Sequence, residues 1–127
     1  MRDQLTHNFY RDEFEEDGYE MPIHPRIPVL CQIVRNAIGA PLHITSGVRS
    51  PKKNALVGGG QNSSHLKGLA VDISNNKIGQ KIPPRIRFLI IRSLIDAGVT
   101  RIGIGETFIH FDIDPDKIQH VIWTYPN

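Results

Sequence analysis

Two histidines and an aspartate stand in the chain where they could bind a metal ion together. His65 and Asp72 lie seven positions apart in SSHLKGLAVDI, and His110 follows in TFIHFDID. Alternate side chains of a strand share a face, so Asp72 and His110 lie on the polar faces of two predicted strands. If these strands are neighbours, the two side chains converge, and His65 joins them from the preceding loop. Three such ligands, with a fourth position left for water, are typical of catalytic zinc sites.

The residues around this trio suit a metal site but do not establish one. Gly68 permits the turn that brings His65 back over the strand, and Ala70 leaves space above the sheet. However, H-x6-D is not diagnostic in the way that H-E-x-x-H is. The alternative is a surface histidine followed by the polar end of a strand.

Hydrolysis at such a site also needs a carboxylate that accepts and returns a proton. Asp112 shares a strand face with His110 and is one candidate. Glu106, four residues before His110, is the other.

The rest of the chain predicts the elements that position these residues. Helical spacing of apolar residues and a capping serine, Ser50, predict three helices, and alternating or apolar runs predict at least four strands. The order predicts an α+β fold with a small, mostly antiparallel sheet flanked by helices. We expect one domain of residues 1–127, with residues 1–20 as an N-terminal arm. The predicted helices are 25–38, 51–57 and 85–97, and the strands 40–47, 69–74, 100–106 and 107–114, with a last one in 117–127.

Composition excludes several classes of protein. A formal net charge of +2 is too small to indicate nucleic-acid binding, and no apolar run is long enough to cross a bilayer. The single cysteine, Cys31, lies in an apolar run, which favours a buried, inert thiol. We therefore expect neither a nucleic-acid partner nor membrane insertion. As a separate expectation, the chain is a monomer.

Several segments occur in an order that resembles a known family. From about residue 6 to 125, they include ITSGVRSPKKNALVGG, QNSSHLKGLAVDI, RIGIGETFIHFDID and a closing W-x-Y. The combination resembles the M15 family of zinc peptidases and is most similar to its small branch. The family includes D-Ala-D-Ala carboxypeptidases, D,D-dipeptidases and the L-alanyl-D-glutamate endopeptidases of phage endolysins. The resemblance implies a hedgehog/D-Ala-D-Ala peptidase-like fold and one Zn²⁺ per chain, held by His65, Asp72 and His110. It also implies peptidoglycan stem peptides or their fragments as substrates.

The resemblance assigns further residues to the site. Arg49 matches an arginine that holds the substrate carbonyl or carboxylate, although a structural ion pair is the alternative. Ser64 matches the serine before the ligand histidine, which implies a place in the substrate groove. Gln61 and Asn54 either help to bind substrate or order the loop. These assignments make Arg49, Ser64 and Gln61 the predicted substrate-binding residues.

One departure from the family pattern concerns the proton. Many members place an acid three residues before the third ligand, where this chain has Thr107. The H-x-D form favours Asp112 as general base, and Glu106 could replace it if the strand carries a bulge. Alternatively, Asp112 orients His110.

Two functions follow. The leading one is a zinc metallopeptidase acting on peptidoglycan, of the carboxypeptidase or endopeptidase type, with Asp112, Glu106 and Arg49 as catalytic residues. The other is a non-catalytic, zinc-stabilised module that binds cell wall or another protein. The polar N-terminus lacks a signal-peptide core. We therefore expect synthesis in the cytoplasm, with action on the wall after release, as a phage lysin or virion component, or on wall fragments in the cytoplasm.

Overall fold

Five short strands form one open sheet in the computed structural model, which describes residues 2–126. Their spatial order is β1-β2-β4-β3-β5, and all neighbours run antiparallel except the parallel pair β3 and β5. The predicted α+β fold with a mostly antiparallel sheet is therefore confirmed. The strands are β1 His43–Ser46, β2 Ala70–Ser74, β3 Arg101–Ile104, β4 Ile109–Asp112 and β5 Val121–Thr124.

Three α-helices accompany the sheet in the described part of the chain, close to their predicted positions. They are α1 Arg26–Ile38, α2 Pro51–Leu56 and α3 Pro84–Asp96. The side chain of Ser50 accepts a hydrogen bond from the backbone N–H of Lys53 and thereby caps α2, as its position predicts. Two 3₁₀ turns, Arg11–Glu13 and Ser64–Lys67, complete the elements. None of these helices is both long and apolar enough to cross a bilayer.

The apolar faces of the helices and the sheet share one core. Helices α1 and α3 pack against each other, and Ile27 and Leu94 are fully buried there. The core-facing residues of β4, Ile109 and Phe111, are also fully buried, as strand alternation predicts. Phe14 of the N-terminal arm is 1% exposed, so the arm belongs to the core.

Strand register places the polar residues of β2 and β4 together. Asp72 lies directly opposite His110, and Ala70 lies opposite Asp112. On the other side of β4, Gly103 of β3 is the partner of His110. The predicted convergence of Asp72 and His110 therefore follows from direct pairing of their strands.

Candidate active site

His65 is positioned by a short turn that precedes β2. It lies in the 3₁₀ turn Ser64–Lys67, which ends at Gly68 with φ of 70°. A side chain at Gly68 would be strained at this φ, and its Cβ would collide with the carbonyl oxygen of Pro22. Glycine at position 68 therefore allows the chain to reverse direction between His65 and the start of β2.

The tautomer of His65 is fixed by a backbone hydrogen bond. Its Nδ1 lies 2.7 Å from the carbonyl oxygen of Gly47, which can only accept, so Nδ1–H is the donor. This leaves Nε2 with a free lone pair, 3.3 Å from Oδ1 of Asp72. Histidine ligands of metals are oriented by such a bond at the second ring nitrogen.

Asp72 divides its two carboxylate oxygens between different partners. Oδ1 faces Nδ1 of His110 at 2.9 Å and Nε2 of His65, whereas Oδ2 lies 3.3 Å from Nη2 of Arg49. Burial on its own would raise the pKa of Asp72, but the hydrogen bond from His110 and the proximity of the His65 ring outweigh it and hold the pKa well below its usual range. Asp72 is therefore ionised and presents one oxygen to the two imidazoles.

One ligand atom from each of His65, Asp72 and His110 lies within 4.8 Å of the other two. Two imidazole nitrogens and one carboxylate oxygen form a donor set that suits Zn²⁺. The Nδ1–H bond of His65 and the ionised state of Asp72 also match what a metal requires of its ligands. These residues therefore fit a single divalent ion.

His110 lies between two carboxylates. Its Nδ1 faces Asp72, and its Nε2 lies 2.8 Å from Oδ2 of Asp112. Burial opposes protonation of the ring, but the hydrogen bonds to Asp112 and Asp72 outweigh it and raise the pKa of His110. A metal at Nδ1 would replace one proton, and the remaining Nε2–H would donate to Asp112.

Asp112 is itself held in place on the sheet. Its side chain is 1% exposed, and Oδ1 accepts hydrogen bonds from Nε of Arg101 at 2.7 Å and from the backbone N–H of Asp114. Burial would raise the pKa of Asp112, but the bonds from His110 and Arg101 lower it overall. Asp112 is therefore an ionised carboxylate next to the metal-binding trio.

Arg49 lies at the edge of the same cluster and has three polar partners. Besides Asp72, its Nε donates to Ser46 at 2.9 Å and its Nη1 to Asn54 at 3.3 Å. The buried Asn54 in turn donates to the carbonyl oxygen of Gly60, which fixes the glycine-rich loop after α2. The structural ion pair, which was the alternative role considered for Arg49, is thus present, and Asn54 orders the loop.

A cavity of about 600 Å³ opens over the trio. Arg49, Ser64, Asp112 and the loop of residues 57–60 line it. Ser64 also donates to the fully buried carboxylate of Asp114 at 2.8 Å, which ties the 3₁₀ turn to the end of β4. The cavity therefore brings a metal-binding trio, an arginine and a second carboxylate to one place.

Aromatic side chains form one wall of this cavity. The ring of Trp123 in β5 lies 5.5 Å from that of His110, and Phe108 and Tyr125 continue the wall. Gly103 makes room for it, because a Cβ there would come within 2.7 Å of ring atoms of Trp123 and Tyr125. The guanidinium of Arg101 lies 4.9 Å from the Trp123 ring centre, close enough for a cation–π contact.

Two predicted site residues lie apart from this cavity. Glu106 is half exposed, 3.7 Å from Nζ of Lys81, and is not part of the cavity lining. Gln61 is exposed and likewise does not contribute to the lining. Their assigned roles remain predictions.

Sequence reasoning missed Arg101, Asp114 and Lys117, which line or support the site. Strand alternation carried a signal for two of them. Asp114 continues the polar face of His110 and Asp112, and Arg101 is a charged residue that alternates with Gly103 in a strand. Lys117 had no comparable signal, because its position depends on an irregular loop.

The fold and the cluster together define a class: a small α+β domain with a preformed His-Asp-His site for one metal ion. The sequence profile of the Peptidase M15 family matches residues 11–112, which include all three trio residues and Arg49. The chain therefore belongs to the M15 peptidase family, whose members are metallopeptidases. Comparison with curated proteins gives no significant match.

Proposed function

We propose that this chain is a zinc-dependent peptidase that hydrolyses peptide bonds in the stem peptides of peptidoglycan. The observation that supports this most is the convergence of His65, Asp72 and His110 at the base of a cavity in a chain of the M15 family. Stem peptides as substrates follow from the motif resemblance, and both carboxypeptidase and endopeptidase action fit the open cavity.

The ligand set favours zinc over harder cations. Two imidazoles and one carboxylate suit Zn²⁺, whereas Mg²⁺ and Ca²⁺ prefer oxygen ligands throughout. We assign Nε2 of His65, Oδ1 of Asp72 and Nδ1 of His110 as the ligand atoms of one zinc ion per chain. When bound, this ion would polarise the scissile carbonyl and lower the pKa of a water molecule to about 7.

Arg49 has two roles in this proposal. Its Nη2 holds Oδ2 of Asp72, so that Oδ1 stays directed at the two imidazoles. Its guanidinium also lines the cavity, where it can donate to the carbonyl oxygen of the bond being cleaved. A fixed positive donor at that oxygen stabilises the negative charge that develops there during attack.

Asp112 is the better candidate for the proton-accepting carboxylate. It lines the cavity and is ionised, whereas Glu106 lies outside the lining beside Lys81. We assign to the carboxylate of Asp112 the proton lost by the attacking water, which then passes to the leaving amine. Its Oδ2 accepts from Nε2–H of His110, so Asp112 also orients that ring.

In this proposal, residues of the cavity walls contact the substrate. The half-exposed ring of Trp123 offers an apolar surface beside the trio, and Ser64 also lines the cavity. Gln61 would reach the substrate only beyond the cavity lining.

Digestion of purified muropeptides tests the proposal. The zinc-loaded protein should release products that mass spectrometry detects, a chelator should abolish release, and added Zn²⁺ should restore it. Product release that survives complete chelation would contradict the proposal. One equivalent of bound zinc without any product, but with affinity for peptidoglycan, would favour the non-catalytic binding module, which the threonine at position 107 also favours.

A further inference from the structure

Three arginine and lysine side chains line the cavity, and two of them already form ion pairs. Arg49 pairs with Asp72 at 3.3 Å, and Arg101 pairs with Asp112 at 2.7 Å. The third is Lys117, which is half buried. Among residues 2–126, no carboxylate oxygen lies within 4.0 Å of its Nζ, and its neighbour Asp116 pairs with Lys67 instead.

The loop that carries Lys117 is held by hydrogen bonds on both sides. Nε2 of Gln119 donates to the carbonyl oxygens of Asp114 and Lys117, at 2.9 and 2.8 Å. Nη1 of Arg101 donates to the carbonyl oxygen of Ile118 at 2.6 Å. The backbone on both sides of Lys117 is therefore fixed relative to the sheet, in a loop that brings this residue into the cavity lining.

The ion pairs of the cavity indicate which kind of ligand group Lys117 would bind. The carboxylates of Asp72 and Asp112 are the ion-pair partners of Arg49 and Arg101, whereas Lys117 has no carboxylate partner among residues 2–126. A cation left unpaired at a fixed place in a binding cavity favours an anionic group on the ligand.

We propose that Lys117 is a specificity-determining residue that binds a free carboxylate of the substrate peptide. This inference rests on the proposed function, since it names the feature by which that site selects its substrate. The preferred substrate is then a short peptide with an ionised carboxylate close to the scissile bond. Lys117 lies beyond residues 11–112, the range that matches the family profile.

Such a carboxylate has two sources in a stem peptide. It is either the C-terminal carboxylate, which would make the enzyme a carboxypeptidase, or the carboxylate of an acidic residue within the peptide, which would make it an endopeptidase. The chemistry recognised by Lys117 is the same in both cases. Amidation of one carboxylate at a time distinguishes them.

The test uses four versions of one synthetic stem peptide: unmodified, amidated at the C-terminus, amidated at the acidic residue, and amidated at both. The proteins are wild type, Lys117→Met, Lys117→Arg and Lys117→Glu. Lys52→Met is the matched control, because Lys52 is exposed on α2 and outside the cavity lining. Cleavage gives kcat and KM, and quenching of the single tryptophan, Trp123, gives Kd for the metal-free protein.

We expect Lys117→Met to raise KM and Kd for the unmodified peptide about tenfold, the effect of losing one hydrogen bond to a charged group. Lys117→Arg should retain most of the affinity, Lys117→Glu should weaken it further, and Lys52→Met should leave it unchanged. The doubly amidated peptide should bind Lys117→Met and wild type equally. If one singly amidated peptide also binds wild type and Lys117→Met equally, the carboxylate that is amidated in that peptide is the one that Lys117 recognises.

Two results would overturn the inference. One is an unchanged KM and Kd for the unmodified peptide in Lys117→Met, and the other is an equal loss for the unmodified and doubly amidated peptides. Absence of cleavage by the wild type would instead contradict the proposed function, and the fluorescence titration would still test Lys117 on its own.

Discussion

Nδ1 of His110 lies 2.9 Å from Oδ1 of Asp72, on the residue directly opposite in the neighbouring strand. The two ligand atoms are thus held by the backbone pairing of β2 and β4, which leaves little to the flexibility of the side chains. His65 joins them from a turn fixed by Gly68 and by its bond to Gly47. The metal-binding geometry is therefore largely present before any ion binds, which reduces the cost of binding one.

Asp72→Asn should abolish stoichiometric zinc binding. The amide removes the negative charge and, in one orientation, the oxygen that faces the two histidines. Since changes to groups that only orient ligands cost about 10–100-fold in metal affinity, loss of a ligand should cost at least about a hundredfold. Metal titration followed by dialysis and elemental analysis measures this. Asp116→Asn, at a 79% exposed side chain, is the control and should retain one equivalent.

Asp112→Asn and Glu106→Gln should separate the two candidate bases. If Asp112 accepts the proton, Asp112→Asn should lower kcat by about 10²–10⁴-fold even at saturating zinc. Glu106→Gln should change kcat less than about threefold, because Glu106 lies outside the cavity lining. Full recovery of the kcat of Asp112→Asn at high zinc would instead show that Asp112 only orients His110.

Asp114→Asn should destabilise the protein near neutral pH and lose that effect in acid. Burial would raise the pKa of Asp114, but hydrogen bonds from Ser64 and Lys67 outweigh it and lower the pKa. The ionised carboxylate therefore stabilises the fold above its unfolded pKa of about 3.9, and this is lost as pH falls through the lower folded value. Urea unfolding of the metal-free protein should give a difference of about 1–3 kcal/mol at pH 7.

The control for this prediction is Asp116→Asn, which removes a more distant and exposed partner of Lys67. It should change the free energy of unfolding by less than about 0.5 kcal/mol. A difference for Asp114→Asn that persists undiminished at pH 2 would contradict the assigned role.

Gly103→Ala should displace the aromatic wall while the metal site survives. The added Cβ would lie within 2.7 Å of the rings of Trp123 and Tyr125, which are partly exposed and can move outward. Such overpacking costs about 1–3 kcal/mol. We expect a shifted tryptophan emission spectrum and a raised KM, with one equivalent of zinc retained. An unchanged spectrum with an unchanged KM would show that the wall neither moves nor contacts substrate.

The residues on regular strands were predictable from the sequence. Alternation placed Asp72, His110 and Asp112 on polar faces, because the apolar residues between them share the opposite face, which packs against the core. Motif order then identified the family. The strand register could not be predicted, because the sequence around each strand does not determine whether Asp72 pairs with His110 or with a residue two positions away.

The irregular segments were harder to predict for a physical reason. The 3₁₀ turn that holds His65 is stabilised by Asp114, which lies 50 residues away from Ser64 in the chain. The position of Lys117 likewise depends on contacts from Gln119 and Arg101. Such contacts exist only once the sheet has formed, so local pattern does not reveal them.

The most direct test of the central claim is mass spectrometry of a muropeptide digest carried out in H₂¹⁸O with the zinc-loaded protein. The account predicts cleavage at one bond, with one ¹⁸O atom in the new carboxylate, and no product from Asp72→Asn under the same conditions. It would be contradicted if wild-type protein with one bound zinc ion left the muropeptides uncleaved, or if Asp72→Asn cleaved them equally well.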